Sequence, residues 1–201
     1  MVKTPRLARF ALPLLLLGAF ACTPAVAGVV NGDFETGDFT GWTLTSPGCD
    51  SFCSVVLVSD PGVPLGGNLG ASFGPFGDTG GITQDLATEL GKTYTVDFWL
   101  KNEPAPDLST GPNLFQLQWG GNTVTALTNA PVFDYTEYSF NEVATSTLTT
   151  LGFNFRNDPA FWDLDNVSVT VAAVPEPASW ALAAAGLLAL TAQRRRVAAR
   201  R

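Results

Sequence analysis

The central part of this chain predicts an all-β fold, a sandwich or a barrel, on three observations. Glycine and proline interrupt short apolar runs, and no helical hydrophobic period continues over a long segment. Segments of strand length follow one another with turn signals between them. Several segments alternate between apolar and polar residues, so each would bury one face. The expected strands are 29–34, 42–45, 54–59, 69–73, 81–86, 93–101, 114–119, 123–126, 135–143, 148–156 and 162–171.

The alternation also predicts which side chains fill the core between two sheets. Three strands place their apolar residues on one face and polar residues on the other. The expected core from these strands consists of Tyr94, Val96, Phe98, Leu100, Phe115, Leu117, Trp119, Leu151, Phe153 and Phe155. Trp42 and Trp162 are expected in the core or at a sheet edge.

The N-terminus has the pattern of a secretory signal peptide at 1–27. Lys3, Arg6 and Arg9 precede an apolar stretch, and Ala25-Val26-Ala27 offers small residues for cleavage. We therefore expect a signal helix that is removed from the mature protein. A lipoprotein signal ending at Cys22 is the alternative, although the residues before Cys22 fit a lipobox poorly.

The C-terminus, 174–201, has three parts in a fixed order. The motif Val174-Pro175-Glu176-Pro177 is followed by an apolar run at 178–192 and an arginine-rich end at 193–201. The run predicts a transmembrane helix, with the arginines on the cytoplasmic side. A plain membrane anchor is the alternative, but a bilayer asks for roughly 20 apolar residues and this run is shorter.

These three parts closely resemble the PEP-CTERM sorting signal, which is also catalogued as the ice-binding protein C-terminal domain. The resemblance implies that an exosortase-type membrane enzyme processes the tail. It also implies a Gram-negative-type bacterium and delivery to the cell surface or an exopolysaccharide matrix. The four-residue motif would be the substrate of that enzyme, and the membrane would hold the chain before processing.

The part between the two ends, 28–173, predicts one exported domain with a strongly acidic surface. Lys92, Lys101 and Arg156 stand against seventeen Asp and Glu, so its net charge is −14, although the whole chain carries −7. Such a domain should repel nucleic acid and anionic lipid. Neutral glycans, divalent cations or simple solubility suit this charge.

Cys49 and Cys53 are the two cysteines of the exported part. An even count in an oxidising compartment predicts a disulfide between them. A zinc site is the alternative, but the chain has no histidine to complete one.

The two ends of the domain resemble a galactose-binding-like jelly roll, the fold of many carbohydrate-binding modules. The opening segment is Asn31-Gly32-Asp33-Phe34-Glu35-Thr36-Gly37 followed by Gly41-Trp42, and the closing strand is 161–169. The resemblance implies a structural calcium ion where the first and last strands meet. Glu35 and Asp165 are the matching positions, and Asp33 and Asp163 could help.

The residues of the closing strand point the same way. Period-two alternation places Asp163 and Asp165 on the same face as Val167 and Val169, which should be buried. Buried carboxylates are costly without a cation, and Ca²⁺ prefers carboxylate and carbonyl oxygens. The alternative is that these carboxylates lie solvated at strand ends or cap turns.

A sugar-binding site is expected where an exposed aromatic ring adjoins amides and hydroxyls. Trp99 is the best candidate, because its neighbours on the polar face of its strand are Thr, Asp and Lys, and Tyr135 is a further candidate beside it. We expect the polar side chains of other strands to line one outer sheet surface with Trp99. These residues are Gln116, Gln118, Asn154 and Arg156. A solvated sheet face with one partly covered tryptophan is the alternative.

The sequence therefore predicts an exported, non-catalytic protein that binds extracellular polysaccharide. Without histidine, the usual base for a serine or cysteine nucleophile is missing. A purely structural or adhesive surface protein is the alternative. A small glycoside hydrolase, which needs only two carboxylates, is a further one.

Overall fold

The structure is a computed structural model that describes residues 28–45, 54–58, 67–75, 77–105, 111–172 and Gly186, with the backbone alone for 54–58. Both predicted targeting segments and the predicted Cys49–Cys53 disulfide lie outside the described residues, apart from Gly186. No helix within the described part is long and apolar enough to cross a membrane.

The described chain forms ten strands in two five-stranded antiparallel sheets. The strands are β1 (Thr43–Thr45), β2 (Ser54–Val58), β3 (Gly70–Gly74), β4 (Gly80–Ala87), β5 (Thr93–Asn102), β6 (Asn113–Trp119), β7 (Asn122–Thr128), β8 (Phe133–Val143), β9 (Leu148–Asn157) and β10 (Trp162–Val171). The first sheet has the order β1-β4-β9-β6-β7 and the second β2-β3-β10-β5-β8. The predicted all-β sandwich is confirmed.

The core lies between the two sheets and is rich in aromatic side chains. Phe73 of the second sheet stacks on Phe155 of the first, with ring centroids 4.1 Å apart and planes 4° apart. Phe153 meets Phe98 of the opposite sheet edge to face at 5.3 Å. The expected core residues are all buried, as are Trp42 and Trp162. The period-two pattern therefore identified the inward faces of β5, β6 and β9 correctly.

The first expected strand, 29–34, is wrong: the chain forms turns there. Asn31 and Phe34 have positive φ angles of 52° and 54°, which a strand does not allow. The Asn31 side chain stabilises the turn by donating to the carbonyl of Asp38 at 2.8 Å. Phe34 is fully buried and stacks on Trp42 at 6.0 Å, so packing compensates for its unusual backbone.

The closing strand β10 contains a β-bulge that changes which side chains face the core. Its pairing with β5 shifts register between Asp165 and Ser168, and Asn166 has a positive φ of 49°. One extra residue at this point reverses the alternation that follows. Leu164 and Val167 therefore both face the core.

The sandwich has two ends with different loops. At one end the 88–92 turn bonds the 144–147 loop, with the N–H of Gly91 donating to the carbonyl of Ala144 at 2.7 Å. The chain also leaves β10 at this end, where the N–H of Ala172 donates to the carbonyl of Thr93 at 2.9 Å. At the other end, the side chain of Asn102, the last residue of β5, donates to the carbonyls of Ala130 and Pro131.

Candidate functional site

The outer face of the second sheet carries an aromatic and acidic surface centred on Trp99. Trp99 of β5 pairs directly with Asp165 of β10 and with Glu137 of β8, so the three side chains share this face. Trp99 is half-buried and, among the described residues, it is the tryptophan outside the core. We call Trp99, Tyr135, Glu137 and Asp97 the aromatic face.

Tyr135 lies across the same surface. Its strand, β8, is at the edge of the sheet, yet its hydroxyl is buried 3.2 Å from where a Cβ on Gly70 of β3 would lie. The Lys101 ammonium lies over the Tyr135 ring, 5.5 Å from its centroid, a cation–π geometry. The absence of a side chain at Gly70 thus leaves room for the tyrosine to span the face.

Beneath this surface, Asp163 has partners of its own. Its Oδ2 lies 3.2 Å from the Lys101 ammonium, and its Oδ1 accepts a hydrogen bond from the hydroxyl of Ser72. Lys101 also lies 3.0 Å from Glu103. Burial raises the pKa of Asp163 to about 6, and Glu103 adds to the rise while Ser72 and Lys101 oppose it. Asp163 therefore does not need a metal ion for compensation.

The β10 bulge corrects the expected geometry of the two closing-strand carboxylates. Asp163 and Asp165 do not share a face with Val167 and Val169, which point into the core. They lie on the outer face of the second sheet, although each is only 1% exposed.

The predicted calcium residues Asp33, Glu35 and Asp165 come together where the N-terminal turn meets β10. The pKa of Asp165 is raised to about 7, mainly by burial and also by the nearby carboxylates of Asp33 and Glu35, while the hydrogen bond from the Asn166 N–H opposes the rise. Glu35 itself accepts the backbone N–H of Leu69 at 2.8 Å, which lowers its pKa. A cleft of about 370 Å³ opens beside this corner, lined in part by Asp33 and Asn166.

These three carboxylates do not form a ready metal-ligand set. Within the described residues, no three acidic or cysteine side chains converge in the way that a bound metal would require. The corner does concentrate negative charge around a buried carboxylate, and its donors are of the type that Ca²⁺ prefers. Calcium therefore stays a prediction.

The four predicted polar residues lie on the opposite sheet from Trp99, so the expected common surface is wrong. Gln116 and Gln118 are in β6, and Asn154 and Arg156 are in β9, all in the first sheet. Gln116 pairs directly with Asn154, so the amides do form one strip. We call these four residues the amide face.

Arg156 at the end of the amide face already has an anionic partner. Its Nε and Nη2 donate to Oδ2 of Asp158 at 3.0 and 2.6 Å. Its backbone carbonyl accepts the indole N–H of Trp162 at 3.0 Å. Arg156 therefore has a structural role in the loop after β9 that its sequence context did not indicate.

A cavity of about 610 Å³ at the loop end of the sandwich was not expected from the sequence. Three of its lining residues, Asn102, Asn113 and Asn157, hold the surrounding loops together. Asn102 Nδ2 donates to the carbonyls of Ala130 and Pro131, both at 3.0 Å, and Oδ1 of Asn102 accepts from Asn157 at 2.9 Å. Their amides are thus occupied in holding the loops.

Glu137 belongs to the aromatic face, but the sequence analysis did not name it as a site residue. It alternates with Tyr135 along β8, and both fall on the side opposite the inward-facing Tyr138 and Phe140. The period-two pattern of 135–143 contained this signal.

Comparison with known proteins identifies the tail and the fold. Residues 173–196 match the PEP-CTERM protein-sorting motif, which confirms the expected signal. Such a signal implies export, a membrane-anchored intermediate and processing by an exosortase-type enzyme. No curated protein sequence matches the chain significantly.

Solved structures similar to this chain include two carbohydrate-binding modules. TmCBM61, solved in complex with β-1,4-galactotriose, has a TM-score of 0.53 at 17% identity, covering 72% of this chain and 98% of that one. The CBM22-1 xylan-binding domain of Paenibacillus barcinonensis Xyn10C has a TM-score of 0.52 at 12% identity, covering 76% and 99%. At these identities the similarity shows the fold, and the predicted jelly roll is confirmed.

The sandwich is also similar to part of a protein that is described as enzymatically active. The enzymatically active domain of bacteriophage CBA120 tailspike protein 4 has a TM-score of 0.54 at 20% identity. The match covers 72% of this chain but only 21% of the tailspike chain. The sandwich corresponds to about a fifth of that protein.

Proposed function

We propose that the exported domain is a non-catalytic carbohydrate-binding domain that holds neutral polysaccharide on its aromatic face. The PEP-CTERM signal would deliver it to the cell surface or to an exopolysaccharide matrix. The observation that carries this proposal is the position of Trp99, a half-buried tryptophan outside the core that shares its face with Tyr135.

The chemistry of the aromatic face suits an uncharged sugar chain. Aromatic rings cover the apolar C–H side of a pyranose, and carboxylates beside them accept hydrogen bonds from its hydroxyl groups. Glu137 is directly opposite Trp99, and Asp97 precedes Trp99 on the same side of β5. Because these groups are anionic and the whole domain is acidic, a neutral glycan fits and an anionic one is repelled.

The fold supports the same class of ligand. The names of two similar carbohydrate-binding modules mention a glycan: one is in complex with β-1,4-galactotriose and the other is a xylan-binding domain. Both glycans have a neutral backbone. Neutral glycans with linked pyranose units are therefore the ligands to test first.

We expect native gels cast with xylan or galactan to retard the purified domain, because its rings would stack on successive sugar units. Gels cast with alginate, an anionic polysaccharide, should not retard it. Bovine serum albumin, also acidic, serves as the mobility control. If no neutral polysaccharide retards the domain, the purely structural or adhesive function replaces this proposal.

We also propose that Ca²⁺ binds at the corner formed by Asp165, Asp33 and Glu35. A cation would compensate the buried carboxylate of Asp165, whose pKa is raised by burial and also by the nearby Asp33 and Glu35, and carbonyl oxygens or water would complete its coordination. EDTA should then lower the melting temperature, because Ca²⁺ at about 100 times its Kd adds roughly 2.7 kcal/mol to stability.

The calcium experiment is controlled by two substitutions that each replace one aspartate with asparagine, one at the proposed site and one away from it. Asp165→Asn should abolish the effect of calcium on the melting temperature. Asp85→Asn, on an exposed residue of the other sheet that bonds Thr150, should keep it. The calcium proposal fails if EDTA leaves the wild-type melting temperature unchanged.

A further inference from the structure

The sorting signal leaves the sandwich from one defined end. The N–H of Ala172 donates to the carbonyl of Thr93 at the start of β5, and the match to the sorting motif starts at the next residue. Residues 173–177 separate this point from the apolar run at 178. Fully extended, such a connection reaches at most roughly 20 Å. With the tail in a bilayer, this end of the domain is therefore held close to the lipid surface.

The same end carries exposed apolar side chains. Leu90 at the tip of the 88–92 turn is 70% exposed, Leu148 at the start of β9 is 58% exposed and Val143 at the end of β8 is 50% exposed. The turn is firmly held, because Thr88 and Gly91 donate backbone hydrogen bonds to Thr147 and Ala144. Leu90 is therefore exposed on a turn that backbone hydrogen bonds hold in place, and Val143 and Leu148 lie where β8 and β9 reach the same end.

A cation lies beside them. Of the three cations in the described part, Lys101 and Arg156 are ion-paired with carboxylates. The third, Lys92, is exposed and follows Leu90 by two residues in the same turn. A lysine next to apolar side chains suits a lipid surface, where its stem lies among apolar groups and its ammonium reaches phosphate.

We propose that, in the membrane-anchored intermediate, this end of the sandwich rests on the lipid headgroup surface. Leu90, Val143 and Leu148 enter the boundary between headgroups and acyl chains, and Lys92 contacts lipid phosphate. The negative charge of the domain opposes its binding to lipid from solution. The membrane-inserted tail, however, tethers the domain, so the effective concentration of the lipid surface near this end is high. The inference rests on the sorting half of the proposed function and not on glycan binding.

This orientation has a consequence for the rest of the molecule. Because β5 and β10 run between the two ends of the sandwich, the aromatic face then stands away from the membrane plane and stays open to polysaccharide. The loop end with the 610 Å³ cavity points away from the lipid.

The test is hydrogen exchange measured by mass spectrometry on the chain with its C-terminal sorting signal, inserted in phosphatidylcholine nanodiscs. We compare the wild type with the double variant Leu90→Ser and Leu148→Ser. Val132→Ser is the matched control, because Val132 is also 58% exposed and lies at the opposite end. Amides of 88–92 and 143–148 should exchange about tenfold more slowly in the wild type and in Val132→Ser than in the double variant.

Each other outcome overturns the proposal. Equal exchange in the wild type and the double variant shows that lipid does not cover this end. Equal protection of 129–132 shows a different orientation, and protection that requires two chains per disc shows a second copy as the occupant. A tail that fails to insert removes the anchored intermediate itself, whereas retardation by polysaccharide gels would be unaffected. Melting temperatures measured in solution serve to check that each variant folds.

Discussion

Replacing Trp99 with alanine should strongly weaken the retardation of the domain by neutral polysaccharide while leaving its fold intact. Trp99 is half-buried on the outer face of the second sheet and is not part of the core. Its loss removes the largest ring of the aromatic face. Central aromatic anchors in a binding surface contribute about 2 kcal/mol or more, which corresponds to a roughly thirtyfold rise in Kd. Affinity electrophoresis over a series of polysaccharide concentrations measures that change.

Gln118→Ala is the control for this experiment. Gln118 is also half-buried, but it lies on the amide face of the opposite sheet. Its removal should leave the affinity unchanged if the aromatic face binds the glycan. The reverse result, with Gln118→Ala losing binding and Trp99→Ala keeping it, would move the site to the amide face. Trp99→Ala with unchanged affinity is incompatible with the proposed site.

The inward faces of the strands could be read from the sequence because alternation is a local property. In β5 the buried residues Tyr94, Val96, Phe98 and Leu100 are fully covered, while the residues between them stay partly exposed. Each strand needs to bury only one side, so the hydrophobic pattern fixes that side without knowledge of the neighbouring strands.

The grouping of site residues could not be read in the same way, because it depends on which strands pair. Trp99 and Gln118 both alternate away from the core, and nothing local distinguishes their surfaces. The pairing that separates them is long-range: β5 joins β8 and β10, whereas β6 joins β7 and β9. Sequence analysis therefore predicted the polar sides correctly and combined two of them wrongly.

The closing strand shows a second limit of pattern reading. Period two holds from Trp162 to Leu164 and again from Val167 to Val169, but the bulge between them shifts its phase. Asn166, with its positive φ, was the available local signal, since asparagine tolerates this backbone region better than most residues. The consequence was large, because it placed two carboxylates on the wrong side of the sheet.

The N-terminal turn was missed for a related reason. Residues 29–34 include apolar side chains at strand-like spacing, and Phe34 is indeed buried. What the spacing does not reveal is the network around Asn31, whose carbonyl accepts the indole N–H of Trp42 at 3.0 Å. That tertiary contact, together with the side-chain bonds of Asn31, favours turns over an extended strand.

Phe153→Ala should cause the largest loss of stability. Phe153 is fully buried at the centre of the sandwich, where it contacts Phe98 of the second sheet at 5.3 Å and Phe115 of the first at 6.2 Å. Truncation leaves a cavity between two sheets that strand pairing prevents from collapsing. Substitutions of this type cost about 3–5 kcal/mol, out of a total stability of roughly 5–15 kcal/mol. Urea denaturation measures the loss.

Leu148→Ala, on the same strand, is the control that distinguishes the loss of core packing from a general destabilisation by any substitution in β9. Leu148 is 58% exposed, so its truncation should change the free energy of unfolding by less than about 0.5 kcal/mol. Equal effects of the two substitutions would mean that β9 does not turn one side to a shared core. A large effect of Phe153→Ala alone shows that the two sheets are joined through their aromatic side chains. That rigid support is what the aromatic face needs, because β5 carries Phe98 on its inner side and Trp99 on its outer side.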